Sequence, residues 1–148
     1  MCKMNTNTLQ LLTCLREDSR EKLTSISKKT GIPISTLFDI LKEIKGNLVI
    51  RNTVLIDFVK LGFNARAQIL IKVKKECKED LRKHLFFQEH INNRYKINSG
   101  WDFMIETIHK NIIELDQFLE KLTKDFEIID YQIFYLIDEV KREGFVLT

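Results

Sequence analysis

The stretch from Arg16 to Lys45, REDSREKLTSISKKTGIPISTLFDILKEIK, decides the fold of the amino-terminal part of this chain. Its apolar residues recur every three to four positions, which places them on one face of each of two short helices. These residues are Leu23 and Ile26 in the first helix and Leu37, Leu41 and Ile44 in the second. Gly31 separates the helices, because glycine tolerates the left-handed backbone of a helix end. The pattern predicts a helix-turn-helix, an arrangement that can place its second helix in the DNA major groove.

The residues on either side of this pair complete a small domain. Thr8 to Arg16 is predicted to form a preceding helix that supplies a three-helix core through Leu9, Leu11, Leu12 and Leu15. The second helix of the pair, the recognition helix, should begin near Ser35, whose hydroxyl can cap its free amide groups. The β-branched segment after Gly46 fits a short two-stranded wing around Arg51 to Thr53. We therefore expect a winged helix-turn-helix domain over residues 1–57.

Residues 58–148 follow a different pattern. Apolar residues alternate from Ala65 to Val73, which is typical of a strand with one buried face. A helix should follow from about Lys75, with Cys77, Leu81 and Leu85 along one side. The remaining elements are expected to be strands at Asn92–Asn98 and Trp101–Ile108, a helix at Asn111–Lys124 and a last strand at Ile128–Ile137. The order β-α-β-β-α-β predicts a ferredoxin-like domain, and the whole chain is then of the α+β class.

The strands of this predicted sheet are apolar on both faces. Phe103 and Ile105 alternate with Met104 and Ile108, and the last strand has the same character. Two helices on one face would leave the other face in water, and an exposed apolar area of several hundred Å² is unusual on a monomer. Pairing with a second copy would bury that area at roughly 25 cal/mol per Å². We therefore predict a dimer joined through the sheet.

Composition excludes several classes of protein. Hydrophobic residues make up 44% of the 148 residues, which rules out a disordered chain. No apolar run approaches the ~18 residues that span a bilayer, and Met1–Thr8 lacks the core of a secretion signal, so we expect a soluble cytoplasmic protein. Cys2, Cys14 and Cys77 are widely spaced, which predicts reduced thiols and no metal site. Without a phosphate loop, GxSxG or HExxH motif, we predict no catalytic residues and no cofactor.

Charge is distributed unevenly along the chain. Residues 1–57 contain nine Lys or Arg and six Asp or Glu, whereas residues 58–148 contain fifteen of each kind. The whole net charge of +3 therefore lies in the predicted helix-turn-helix domain. This excess is modest for a domain that relies on attraction to phosphate.

Four stretches resemble Lrp/AsnC-type transcriptional regulators. Leu12, Leu15, Asp18 and Arg20 stand where that family carries its "IL..L..D.R" signature, and the match continues through SKKTGIPISTL. The run Lys60–Phe63 is similar to the "lGy" that opens the family's second domain, and DEVK at 138–141 also matches. The resemblance spans nearly the whole chain. It implies a DNA-binding domain joined to a ligand-sensing, RAM-type ferredoxin-like domain over residues 58–148, in dimers or larger even-numbered oligomers.

The resemblance also identifies candidate contacts with double-stranded DNA. If the apolar stripe of the recognition helix faces the core, its outer face carries Ser35, Thr36, Asp39, Lys42 and Glu43. Phosphate contacts would then come from Arg20, Lys28, Lys29, Lys45 and Arg51. The family usually has arginines in the recognition helix and more often has serine where this chain has Pro33. The acids Asp39 and Glu43 can accept a hydrogen bond from the amino group of cytosine, or they can form a solvated face.

A small-molecule site is implied by the same resemblance. In the family an effector, often an amino acid, binds near the loop that joins the two central strands, which here contains Ser99, Gly100 and Asp102. Glycine admits close backbone approach, and the aspartate can pair with an ammonium group. The SGWD loop is one residue shorter than the usual loop. The alternative is a hairpin turn whose Trp101 packs at the dimer contact.

Two further classes of function remain open from sequence. Siroheme-decarboxylase-like enzymes are built on the same two domains and also lack a familiar catalytic motif. A partner subunit that has lost DNA reading is favoured by the acidic residues Asp39 and Glu43 of the recognition helix.

Overall fold

A computed structural model describes residues 4–147, so the predicted free thiol of Cys2 lies outside the described residues. Contacts divide the chain into two compact units. The first contains the residues up to Leu55 together with those from Lys141 onwards, and the second is Ile56–Val140. The functional division after residue 57 stays a prediction.

Three helices form the first unit. They are α1 (Thr6–Glu17), α2 (Leu23–Thr30) and α3 (Ile34–Ile44). The helix α1 begins two residues before the predicted start, because the side chain of Asn5 accepts a hydrogen bond from the amide of Asn7 and caps the first turn. The core of the first unit joins residues from all three helices and the turn, namely Leu11, Ile26, Ile32, Leu37, Ile40 and Ile44. The predicted three-helix core is confirmed.

Two local predictions for this unit are wrong. The helix α3 begins at Ile34 with Pro33 at the N-cap, and Ser35 lies inside the first turn without making a capping hydrogen bond. The predicted wing strands around Arg51 to Thr53 do not form, and residues 46–64 contain no strand. A strand needs a neighbour for its backbone groups, and only an isolated bridge between Lys45 and Val49 is made in this segment.

The segment after Lys141 lies against α1. The guanidinium Nη2 of Arg16 donates to the carbonyl oxygen of Glu143 at 3.2 Å and lies 3.6 Å from the Glu143 carboxylate. A hollow of about 170 Å³ between this segment and α1 is lined by residues that include Thr13 and Phe145. The first unit is therefore built from two separate parts of the chain.

The second unit has the predicted ferredoxin-like order. Its elements are β1 (Ala65–Val73), α4 (Lys78–Phe86), β2 (Ile91–Lys96), β3 (Phe103–His109), α5 (Ile112–Asp125) and β4 (Ile128–Tyr135). A 3₁₀ turn at Lys75–Cys77 precedes α4, so that helix begins later than predicted. The strands form one sheet in the order β2-β3-β1-β4, and each neighbouring pair is antiparallel.

The two faces of this sheet differ in polarity. The face under the helices is apolar and carries Ala67, Ile69, Ile71, Phe103 and Ile105 of the core. On the opposite, open face, Leu70 is paired with Met104, but Gln68 is paired with Phe134. The same face also holds Arg66, whose guanidinium is largely buried. The expectation of an apolar open face is therefore correct only in part.

Candidate nucleic-acid interface

A tight turn fixes α2 against α3. Gly31 has φ +74°, the left-handed conformation predicted for it, and its amide donates to the carbonyl of Ser27 at 2.8 Å. The Ser27 hydroxyl donates to the carbonyl of Ile32 at 2.6 Å, and the Thr30 hydroxyl donates to the carbonyl of Ile26 at 2.7 Å. These bonds satisfy the backbone at the helix end and hold the turn in one conformation.

The recognition helix α3 has a buried face and an exposed face. Leu37, Ile40 and Ile44 are buried in the core. The exposed face is centred on residues spaced three and four apart, which we call the outer stripe: Ser35, Phe38, Asp39 and Lys42. Of the other predicted face residues, Glu43 is exposed beside the outer stripe and Thr36 is half-buried at its edge.

Phe38 was missed by the sequence reasoning. Its side chain is 59% exposed, and Ile34, one turn earlier, is 48% exposed. Apolar character alone assigns both residues to the core. Phe38 lies three residues after Ser35 and four before Lys42, and Ile34 lies four before Phe38. This spacing was the signal that places both outside, because residues three and four apart share one face of a helix.

Most of the predicted phosphate contacts are accessible. Arg20, Lys28, Lys45 and Arg51 are exposed, and Lys45 directly follows the last residue of α3. Lys29 differs because its ammonium lies 2.5 Å from the carboxylate of Glu21. The hydrogen bond to Glu21 raises the pKa of Lys29, so this lysine would have to exchange its partner before it could bind a phosphate.

The predicted effector residues lie in the loop between β2 and β3. Ser99 and Gly100 both have left-handed backbones, with φ +61° and +91°. The Asp102 carboxylate is already engaged, because it lies 2.6 Å from the ammonium of Lys78 and accepts from the amide of Val73 at 2.9 Å. Burial favours a higher pKa for Asp102, but the hydrogen bonds from Lys78 and Val73 outweigh it and hold the pKa below its usual value.

A buried polar cluster on the open sheet face was not predicted. Arg66 donates to Glu106 and to Glu139, at 2.8 Å in each case, and its guanidinium lies over the ring of Phe58. Glu106 is only 8% exposed and also accepts from the side-chain amide of Asn93 at 2.5 Å. Burial favours a higher pKa for Glu106. The hydrogen bonds from Arg66 and Asn93 outweigh burial, hold the pKa below its usual value and keep the carboxylate charged.

Residues 4–147 lack two kinds of feature. No helix there is long and apolar enough to cross a membrane. Within the same residues, no three or more His, Cys, Asp or Glu side chains are grouped so that they could hold a metal ion.

Comparison with known proteins places the chain in a family. No protein-family model matches it. The solved AsnC family transcriptional regulator from Agrobacterium tumefaciens superposes with a TM-score of 0.85 and 17% identity, covering 94% of each chain, which shows a common fold. The HTH-type transcriptional regulator FL11 of Pyrococcus abyssi is 31% identical over 112 residues, which are 75% of this chain and 74% of FL11. The chain belongs to the Lrp/AsnC family.

The Lrp/AsnC assignment confirms the resemblance inferred from sequence and the predicted fold class. Another solved structure of this fold is a transcriptional regulator from Neisseria meningitidis in complex with L-Met, with a TM-score of 0.87 and 14% identity over 95% of this chain and 94% of that one. In this Lrp/AsnC chain, the exposed side of α3 carries the acids Asp39 and Glu43 beside Lys42. Its outer stripe therefore combines aromatic, acidic and basic side chains.

Proposed function

We propose that this Lrp/AsnC chain is a sequence-specific DNA-binding transcriptional regulator that reads the major groove with α3. The observation that carries the proposal is the outer stripe, none of whose side chains is bonded to another side chain in the described part of the chain. Free polar groups on an outward helix can bond to base edges, whereas groups already paired cannot. The FL11 relative, named as an HTH-type transcriptional regulator, supports the same function.

Phosphate contacts would anchor the helix in this proposal. Arg20, Lys28, Lys45 and Arg51 are exposed around the helix pair and can each neutralise one phosphate. Lys29 is paired with Glu21, whose side chain is only 10% exposed. A phosphate contact by Lys29 would leave that carboxylate without its cation, so the other four residues are the better anchors.

Selection of bound fragments from genomic DNA, repeated at two salt concentrations, tests the proposal. A specific regulator should enrich a palindromic site, and its affinity should fall as the salt concentration rises. Lys42→Ala should weaken binding to the selected site, while Lys124→Ala, which removes an exposed lysine from the second unit, should leave it unchanged. If no fragment is enriched at either salt concentration, the function is not DNA reading, and the partner-subunit alternative takes its place.

We propose further that the regulator acts as a dimer joined through the sheet of the second unit. Phe134 and Tyr95 are 46% and 50% exposed on the open face, where they are paired with Gln68 and Met104. A two-fold axis would present two recognition helices to half-sites one or more helical turns apart, so that weak single contacts add up.

Light scattering measures the assembly directly. The wild-type chain should have twice the monomer mass at micromolar concentration, and Phe134→Glu should reduce it to a monomer. Phe87→Glu is the matched control, because Phe87 is also exposed in the second unit but follows α4 rather than lying on the sheet. A wild-type monomer would overturn the dimer proposal.

We propose an amino-acid-like effector for the loop between β2 and β3. The Neisseria regulator was solved with L-Met, which makes amino acids the first class to test. Because Asp102 is paired with Lys78, a ligand ammonium would have to displace that lysine, while the backbone of Ser99 and Gly100 remains open. A panel of amino acids should raise the melting temperature of the wild type and not of Gly100→Val. No shift with any amino acid would leave Asp102 as a purely structural residue.

We place regulation ahead of the siroheme-decarboxylase-like alternative, because the sequence relatives are named as regulators. Tetrapyrrole absorbance in the purified protein, together with loss of carbon dioxide from added siroheme, would reverse that order.

A further inference from the structure

The side chain of Phe38 is exposed and does not belong to the core of the first unit. The side chain is 59% exposed at the centre of the outer stripe, while the core is formed by Leu37, Ile40 and Ile44 on the opposite side of α3. An aromatic side chain in water gains nothing for folding, and it gains free energy when a partner covers it. Its exposure on the proposed reading helix therefore indicates a contact made in the complex.

The neighbours of Phe38 define what that contact can be. Ile34, one turn before it, is 48% exposed and extends the apolar edge of α3. Asp39 and Lys42 lie beside it and supply an acceptor and a donor. The major groove offers one apolar group to such an edge, the C5-methyl of thymine, which stands among base acceptors and donors.

We propose that Phe38 is a specificity-determining residue that selects thymine by packing its ring on the C5-methyl group. The inference rests on the proposed DNA-binding function and deepens it. Asp39, next along the outer stripe, is placed to accept from the amino group of an adjacent cytosine. A half-site read by this helix then contains a thymine beside cytosine on one strand, where arginine-bearing helices prefer guanine.

Replacing thymine by uracil in the selected site tests the contact, because uracil pairs identically and lacks only the methyl group. At the thymine under Phe38, this replacement should weaken wild-type binding about fourfold, the factor that corresponds to one buried methyl group. Phe38→Ala should bind the thymine site more weakly than the wild type and should bind the thymine and uracil sites equally. Phe38→Leu, which keeps an apolar side chain, should retain part of the preference.

Phe87→Ala provides the matched control, because it removes the same side chain from an exposed position in the second unit. It should keep the fourfold preference for thymine. The melting temperature of Phe38→Ala should equal that of the wild type, since the lost side chain is outside the core.

The possible failures are distinguishable. If no site is enriched from genomic DNA, the proposed function fails and this inference fails with it. If a site is enriched but wild type and Phe38→Ala show the same ratio of thymine to uracil affinity at every thymine, Phe38 does not read the methyl group, and the regulator function stands without it.

Discussion

His109 should make the second unit lose stability at mildly acidic pH. The imidazole lies at the end of β3, is 1% exposed, and stacks on His90 with ring centroids 4.6 Å apart. Neither of its ring nitrogens has a hydrogen-bond partner within the described residues. Burial first, and then repulsion from His90, lowers the pKa of His109 to about 4.

The sign and size of the effect follow from proton linkage. An unfolded chain binds a proton at His109 near pH 6.5, whereas the folded chain does so only near pH 4, so acid favours the unfolded state between these values. The stabilisation is complete above pH 6.5 and decreases as the pH falls towards 4. Between pH 7.5 and pH 5.0, the free energy of unfolding should drop by about 2 kcal/mol from this histidine alone.

Urea unfolding followed by the fluorescence of Trp101 measures this drop, because Trp101 is the single tryptophan of the chain and lies in the second unit. His109→Phe keeps an aromatic ring beside Phe118 and cannot take up a proton. The variant should therefore lose about 2 kcal/mol less than the wild type over the same pH interval. Equal losses in the two proteins would refute the reasoning.

Three other substitutions test the packing described above. Leu37→Ala should destabilise the first unit by about 2–5 kcal/mol, seen as early loss of helical circular dichroism with an unchanged Trp101 transition; a coincident shift of both signals would argue against separate units. Gly31→Ala should cost about 1 kcal/mol in the same melt, because φ is +74° while the added methyl meets no atom within 4 Å, and a neutral result would mean that the turn relaxes. Arg66→Met should cost about 3 kcal/mol by Trp101 fluorescence, because it leaves the Glu106 carboxylate buried without its cation. Adding Glu106→Gln should restore part of that loss, and a fully additive double variant would contradict the pairing.

The helices and the turn of the helix-turn-helix were predicted well, because residues close in sequence determine them. The spacing of Leu37, Leu41 and Ile44 predicted the inner side of α3, where Leu37 and Ile44 are buried and Leu41 is partly buried. A glycine at position 31 is enough to end α2. The start of α3 was misplaced by one residue because Pro33, with φ −56°, already has a backbone suited to precede a helix. A capping preference for Ser35 could not outweigh that geometry.

Features that depend on distant partners could not be predicted in the same way. The segment 50–56 is rich in β-branched residues and has strand propensity. A strand also needs a neighbouring strand for its backbone hydrogen bonds, and propensity does not provide one. Arg66 and Glu106 lie 40 positions apart, and only the strand register brings them together. Phe38 was passed over for another reason: the predicted outer face was drawn from polar residues, although the helical position of Phe38 places it on that face.

The return of the last segment to α1 has a consequence for biosynthesis. The helices of the first unit leave the ribosome early, but the contact between Arg16 and Glu143 cannot form until the whole ferredoxin-like sheet has been translated. The first unit thus acquires its final contacts only after the second unit has been made. An amino-terminal fragment that ends before Lys141 would lack them.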